Sequence, residues 1–167
     1  MNDKTYEWED VRVRNLTPKD LEAVVALDAK VTGRRREEYF RTKLAQALHE
    51  TGVRVSLAAE LEGAFVGFLL CRVWYGEFGA MEPFGVLDTF GVHPDFARHG
   101  VARALLRQLR VNLQGLGIQR LQTEVAWDSP ELLAFFQHVG FRPAARLCLD
   151  LDLENAKKRE EAQLAAR

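Results

Sequence analysis

Apolar residues make up 47% of the 167 positions, yet they never run on unbroken for about 18, the length a helix needs to cross a bilayer. No membrane-spanning helix is expected. The opening stretch, Met1 to Asp10, is acidic and has no apolar run either, so no signal peptide is expected and the cytoplasm is the expected location. Charge of one sign is lacking as well, because 23 basic residues meet 24 acidic ones for a formal net charge of -1. Without a global field to draw in nucleic acid or an anionic membrane, neither is an expected partner. Cysteine is scarce. Cys71 and Cys148 stand in apolar, strand-like text without metal-type spacing, which points to two buried thiols rather than a disulfide or a zinc site, and to no metal. Internal repeats and linker-like stretches are absent too. What remains suits a single domain over residues 1–167, with its core at about 10–153 and a charged tail at 154–167.

Periodicity orders the elements. A short strand at Val11 to Arg14 precedes Thr17-Pro18, a capping residue followed by a first-turn proline, and then two helices. Leu21, Val24, Val25 and Asp28 recur at helical spacing to about Lys30, Gly33 punctuates, and a second helix runs from about Arg36 to Leu48. Val53 to Leu61 and Ala64 to Tyr75 read as a hairpin turned at Glu62-Gly63, and Phe84 to Val92 as a third strand ended by Pro94. From Arg98 to about Leu116 the apolar positions Ala102, Leu105, Leu106, Leu109, Leu113 and Leu116 share one helical face, with Arg103, Arg107 and Arg110 largely off it. A strand at Leu121 to Trp127, a helix opened by Ser129-Pro130-Glu131 and stopped at Gly140, and a strand of alternating Leu147, Leu149, Leu151 and Leu153 complete the order. The fold class is α/β, or α+β: a mixed sheet covered by helices.

The segment from Leu87 to Leu106 carries the chemistry, since it joins a strand to a helix through a tight turn. The first turn of a helix has unpaired N–H groups and a partial positive charge, and the missing side chain at Gly100 with the small Ala102 lets a phosphate approach the backbone. That is a seat for a diphosphate. With its context, the stretch resembles the GNAT superfamily of acyl-CoA-dependent N-acetyltransferases. The signature of that superfamily is a strand, Val-x-Pro, and an Arg/Gln-x-x-Gly-x-Gly/Ala loop opening a helix. Val92-His93-Pro94 and Gly100-Val101-Ala102 match it, and Gly140-Phe141 is similar to the family's marker after the later helix.

The resemblance implies a mostly antiparallel central sheet of about six or seven strands, flanked by about four helices, and acetyl-CoA as cosubstrate. It implies pantetheine lying beside Phe90, Gly91 and Val92 like an added strand, and a diphosphate on Arg98, His99, Gly100, Val101, Ala102 and Arg103. Ser129 and Phe136 are further cofactor contacts by the same comparison. Three departures stand out: Ala97 replaces the usual Arg or Gln, Ser129 the frequent Asn, and Phe136 the Tyr that protonates the leaving thiolate. A thiol of pKa about 8.5 costs only about 2 kcal/mol to release unprotonated at neutral pH, so the last departure slows transfer without forbidding it. Water or a hydroxyl such as that of Tyr75 stands in.

The implied reaction is acetyl transfer to a primary amine: a small molecule, a peptide N-terminus or a protein lysine. Freeing the lone pair of a lysine-like amine at neutral pH costs about 4 kcal/mol, so a base or a desolvating pocket has to help. Two carboxylates are candidates. Glu124 lies in the strand Leu121 to Trp127, five residues before Ser129, as some superfamily members place a glutamate base. Asp88 shares a face with Phe90 and Val92 by two-residue alternation. The alternative is a catalytically weak acyl-CoA-binding module that regulates or docks to a protein. The basic run Arg34-Arg35-Arg36 with Tyr39 reads as a solvated face or as recognition of an acidic acceptor, and is left outside the core site. Trp74, Tyr75 and Phe78, near a loop, read as core or as a homodimer contact, with core preferred.

Overall fold

A computed structural model describes residues 7–49, 53–76, 79 and 81–158. The chain forms two compact units, Met1–Ser129 and Pro130–Arg167. Within the first, a five-stranded sheet has the order β1 (Arg12–Asn15), β2 (Leu57–Leu61), β3 (Ala64–Trp74), β4 (Phe84–Val92), β5 (Leu121–Gln122). All neighbours are antiparallel except β4 and β5, which run parallel. The β2–β3 turn takes positive φ at both central residues, +50° at Glu62 and +83° at Gly63, the conformation whose twist matches a two-residue hairpin.

Helices α1 (Leu21–Thr32) and α2 (Glu37–His49) pack on one face of the sheet. Val24, Val25, Leu27, Phe40 and Leu44 join Ala58, Phe68 and Leu70 of the strands in one buried cluster. Its start is fixed by Asp20, which accepts hydrogen bonds from the Thr17 N–H and hydroxyl and from Arg14. Gly33, at φ +72°, ends α1 by donating to the Ala29 carbonyl, as a left-handed helix stop does. Helix α3 (Val101–Gly115) covers the opposite face with Val101, Ala104, Leu105, Leu106, Leu109 and Leu113 buried. Each such aliphatic side chain contributes roughly 1.5–3 kcal/mol when fully buried. Gly67 of β3 lets this helix settle: a Cβ there would lie 2.7 Å from Val101 Cγ1. The first turn of α3 is thereby pinned beside the end of β4.

The second unit holds α4 (Pro130–His138), a stop at Gly140 with φ +102°, and a short helix at 153–158. Here the expected final strand fails. Leu147, Leu149, Leu151 and Leu153 are 84, 89, 68 and 73% exposed and adopt no strand, because the described residues of this unit offer no second strand to complete a ladder. Among the described residues the sheet therefore has five strands, fewer than the six or seven expected. The strand expected over Leu121 to Trp127 stops at Gln122, where the Thr123 hydroxyl, not a backbone group, reaches the Leu87 carbonyl at 2.9 Å. Helix α3 begins at Val101 instead of Arg98, since Arg98 sits at φ +68°, outside the right-handed region. Cys71 is buried as expected, but Cys148 is exposed with the failed strand. Trp74 and Tyr75 are exposed rather than core, and Phe78 lies outside the described residues.

Candidate functional site

Strand β4 positions the site, and a bulge shapes it. Leu70 of β3 pairs with Thr89 and Cys71 with Leu87, so Asp88 is an extra residue without a partner. A bulge of this kind shifts the strand's phase by one. Gly85, before it, faces α3, because a Cβ there would meet Leu113; Gly91, after it, faces α1, because a Cβ there would meet Leu27. Asp88 therefore does not share a face with Phe90 and Val92, which point with their partners Leu69 and Gly67 toward α3. Simple alternation misassigned it. Asp88 instead extends toward α2, where Lys43 Nζ sits 2.7 Å from its Oδ2.

The same phase shift redirects backbone groups. Before the bulge, the Gly85 N–H donates to the Arg120 carbonyl on the β5 side. After it, the His93 N–H donates to Val66 of β3, so odd-numbered residues face β3, while Phe90 and Val92 direct N–H and C=O to the other edge. Pairing of β5 with that edge covers only Gly85 and Val86. Beyond it, the Val92 N–H and C=O point to this same edge, the direction from which an extended ligand adds to a sheet as a further strand.

Beyond Val92 the chain makes a 3-10 turn at Pro94–Phe96, closed by the Asp95 N–H donating to His93 Nδ1 at 3.2 Å, while Lys30 Nζ lies 2.7 Å from His93 Nε2. The N–H groups of Phe96, Ala97 and His99 are taken up within the turn. Those of Arg98, Gly100, Val101 and Ala102 have no acceptor among the described residues. Gathered at a helix N-terminus, such groups suit an anion. Gly100 has φ +74°, and a Cβ would lie 2.7–2.8 Å from the Cβ, Cα and N of Trp8. The space left by its missing side chain is thus filled by Trp8, and an anion has to approach from the N–H side. Arg103 and Arg107 lie over the same indole, 5.7 and 4.1 Å from its centroid.

Glu124 is exposed beyond the end of β5, and Ser129 closes the first unit by donating its N–H to Ala126. Phe136 belongs to the second unit, where it is buried edge-on to Phe135 and Phe141. The basic run is spent on structure: Arg35 pairs with Glu22, and Arg36 grips the buried Asp28 through two hydrogen bonds of 2.9 and 2.6 Å while its guanidinium lies over Tyr39.

Reading the sequence missed Lys43, Arg72 and Thr89. Arg72 points from β3 to the α2 side, 3.9 Å from Asp88 and over the Trp74 ring. It donates no side-chain hydrogen bond among the described residues, and its buried Nε and the buried Thr89 Oγ1 lack partners. An unsatisfied buried group of this kind costs about 1–3 kcal/mol. One signal was present, a lone charge inside the apolar strand from Val66 to Val73.

Residues 21–141 match the acetyltransferase (GNAT) family. Solved structures share the fold. One is a transcriptional regulator from Bacillus halodurans, with a TM-score of 0.71 at 18% identity over 86% of this chain and 99% of that one. A second is an aminoglycoside N-acetyltransferase in complex with CoA, with a TM-score of 0.72 at 17% identity over 86% and 95%. A third, an aminoglycoside 6'-N-acetyltransferase from Acinetobacter baumannii, has a TM-score of 0.72 at 17% identity over 85% and 97%.

Proposed function

The chain belongs to the acetyltransferase (GNAT) family, and from that premise we propose that it transfers an acetyl group from acetyl-CoA to a primary amine within a ternary complex. The observation that carries this reading is the nearness in the chain of the Val92 end of β4 to the N–H groups of Gly100, Val101 and Ala102 at the start of α3, which have no acceptor among the described residues. A ligand combining an extended amide chain with a diphosphate fits both features at once.

When bound, acetyl-CoA supplies the activated thioester. The chain's backbone at Phe90 and Val92 aligns the extended arm, and the N–H groups at Arg98, Gly100, Val101 and Ala102 hold the diphosphate. Transfer forms a bond between the amine nitrogen and the carbonyl carbon, breaks the C–S bond, and leaves the sulfur as thiolate. Glu124, open to solvent, receives the ammonium proton through water before attack. Asp88 is less suited to that role, because Lys43 already engages its carboxylate. Water protonates the thiolate.

Free-thiol release from acetyl-CoA, measured across a panel of amines alongside calorimetric binding of acetyl-CoA, tests the proposal. Release that depends on the acceptor is the expected result. Tight binding without release from any amine would make the chain an acyl-CoA-binding module, and no binding at millimolar ligand would remove the site altogether.

A further inference from the structure

We infer that the amine acceptor carries an oxyanion, a carboxylate or phosphate, and that Arg72 is the residue that selects it. The inference rests on the acetyl-transfer reading and deepens it. At the bulge, Lys43, Arg72 and Asp88 form a cluster in which each side chain is only 22% exposed. Two cations share one carboxylate. Lys43 takes it at 2.7 Å, and Arg72 is left 3.9 Å away.

Arg72 therefore presents a guanidinium with five donors and no hydrogen bond among the described residues, and Thr89 Oγ1, on the same face of the sheet, is also without a partner there. The planar fork of an arginine matches two oxygens of a carboxylate or phosphate, and partial desolvation strengthens that match. Trp74, 36% exposed, fixes the guanidinium from one side at 5.6 Å. Lys43 lies over Tyr39 at 5.7 Å, and Arg36 is neutralised by Asp28, so the positive charge left over belongs to the Lys43–Arg72 pair. A polycationic amine meets repulsion here, whereas an anionic one completes the cluster.

The test compares matched amines, phenylalanine with phenylalaninamide and phosphoethanolamine with ethanolamine, under saturating acetyl-CoA. Neutral partners differ in amine basicity, so KM is the readout. The anionic member of a pair is expected to show a KM at least tenfold lower, the carboxylate and phosphate pairs telling the two oxyanions apart. Arg72→Gln should erase that advantage while leaving KM for the neutral amine and for acetyl-CoA within twofold, and Arg72→Lys should restore part of it. A second arm needs no turnover: with Trp8→Phe and Trp127→Phe in place, fluorescence of Trp74 is titrated with N-acetylphenylalanine and with its amide. A saturable response to the acid alone supports the inference, even if no amine is acetylated, in which case only the transfer reading falls. Equal KM values within pairs, together with equal or absent responses in the titration, overturn it and leave acetyl transfer standing.

Discussion

Replacing Gly100 with Ala tests the turn that opens α3, and two other glycines separate its causes. At φ +74° an alanine pays about 1–2 kcal/mol in backbone strain. Its Cβ would also stand 2.7–2.8 Å from three atoms of Trp8, two of them backbone, so the 3-10 turn at Trp8–Asp10 has to shift. Overpacking of that kind costs about 1–3 kcal/mol more. Gly33 has nearly the same φ, +72°, and nothing within 4 Å, so Gly33→Ala reports strain alone. Gly115 lies in α3 with an unremarkable φ and open space, so Gly115→Ala is expected to be neutral or slightly stabilising. Thermal unfolding should place Gly100→Ala at least about 2 kcal/mol below the parent, roughly 4–8 °C in Tm, and clearly below Gly33→Ala. Should Gly100→Ala and Gly33→Ala melt together, Trp8 does not occupy the space assigned to it and the packing argument is wrong.

Glu124→Gln is expected to lower turnover at least tenfold with acetyl-CoA affinity unchanged, in steady-state kinetics paired with calorimetry; Asp88→Asn is the control, and equal turnover in Glu124→Gln and parent removes Glu124 from the chemistry. Burial works against an ionised Asp20, yet hydrogen bonds from Arg14 and from the Thr17 N–H and hydroxyl outweigh it and hold its carboxyl below the ordinary value. The stability this confers is full above the unfolded pKa of about 4 and is lost as pH falls through the lower folded value. Asp20→Asn should therefore lower Tm at neutral pH and flatten its acid limb, and an unchanged acid limb would show that Asp20 is not the group responsible. Burial pushes the Cys71 thiol up to about 12, while Cys148 is exposed, so a thiol reagent at pH 8 should modify one cysteine quickly and the other only on unfolding. Two fast thiols would contradict the burial of Cys71.

Much of the fold was legible because local chemistry and tertiary packing agree. The Glu62-Gly63 hairpin, the β4 boundaries and most of the apolar stripe of α3 follow from turn residues and periodicity, while Leu116, expected on that stripe, lies past the helix end and is exposed. Period two alone misled at Leu147 to Leu153, since alternation records a preference and a strand also needs a partner. The strand-to-helix turn was recognisable from its proline and glycine spacing. By contrast, the Lys43–Arg72–Asp88 cluster joins residues from three elements and depends on a one-residue offset in pairing register, which nothing in the local sequence encodes. Trp8 against Gly100 was hidden for the same reason, because the contact spans more than 90 positions of chain.

Strand β4 behaves as two half-strands spliced out of step at Asp88. On the stretch before the splice, Leu87 packs inward under α3; on the stretch after it, Gly91 gives its space to Phe68 and Leu27 under α1. Removing that one residue would join the two stretches into a single regular ladder, with Leu87 and Thr89 still opposite Cys71 and Leu70 and every other side chain of the strand keeping its face. The extra length therefore serves one side chain alone: it carries the Asp88 carboxylate out of the ladder and across to Lys43 and Arg72.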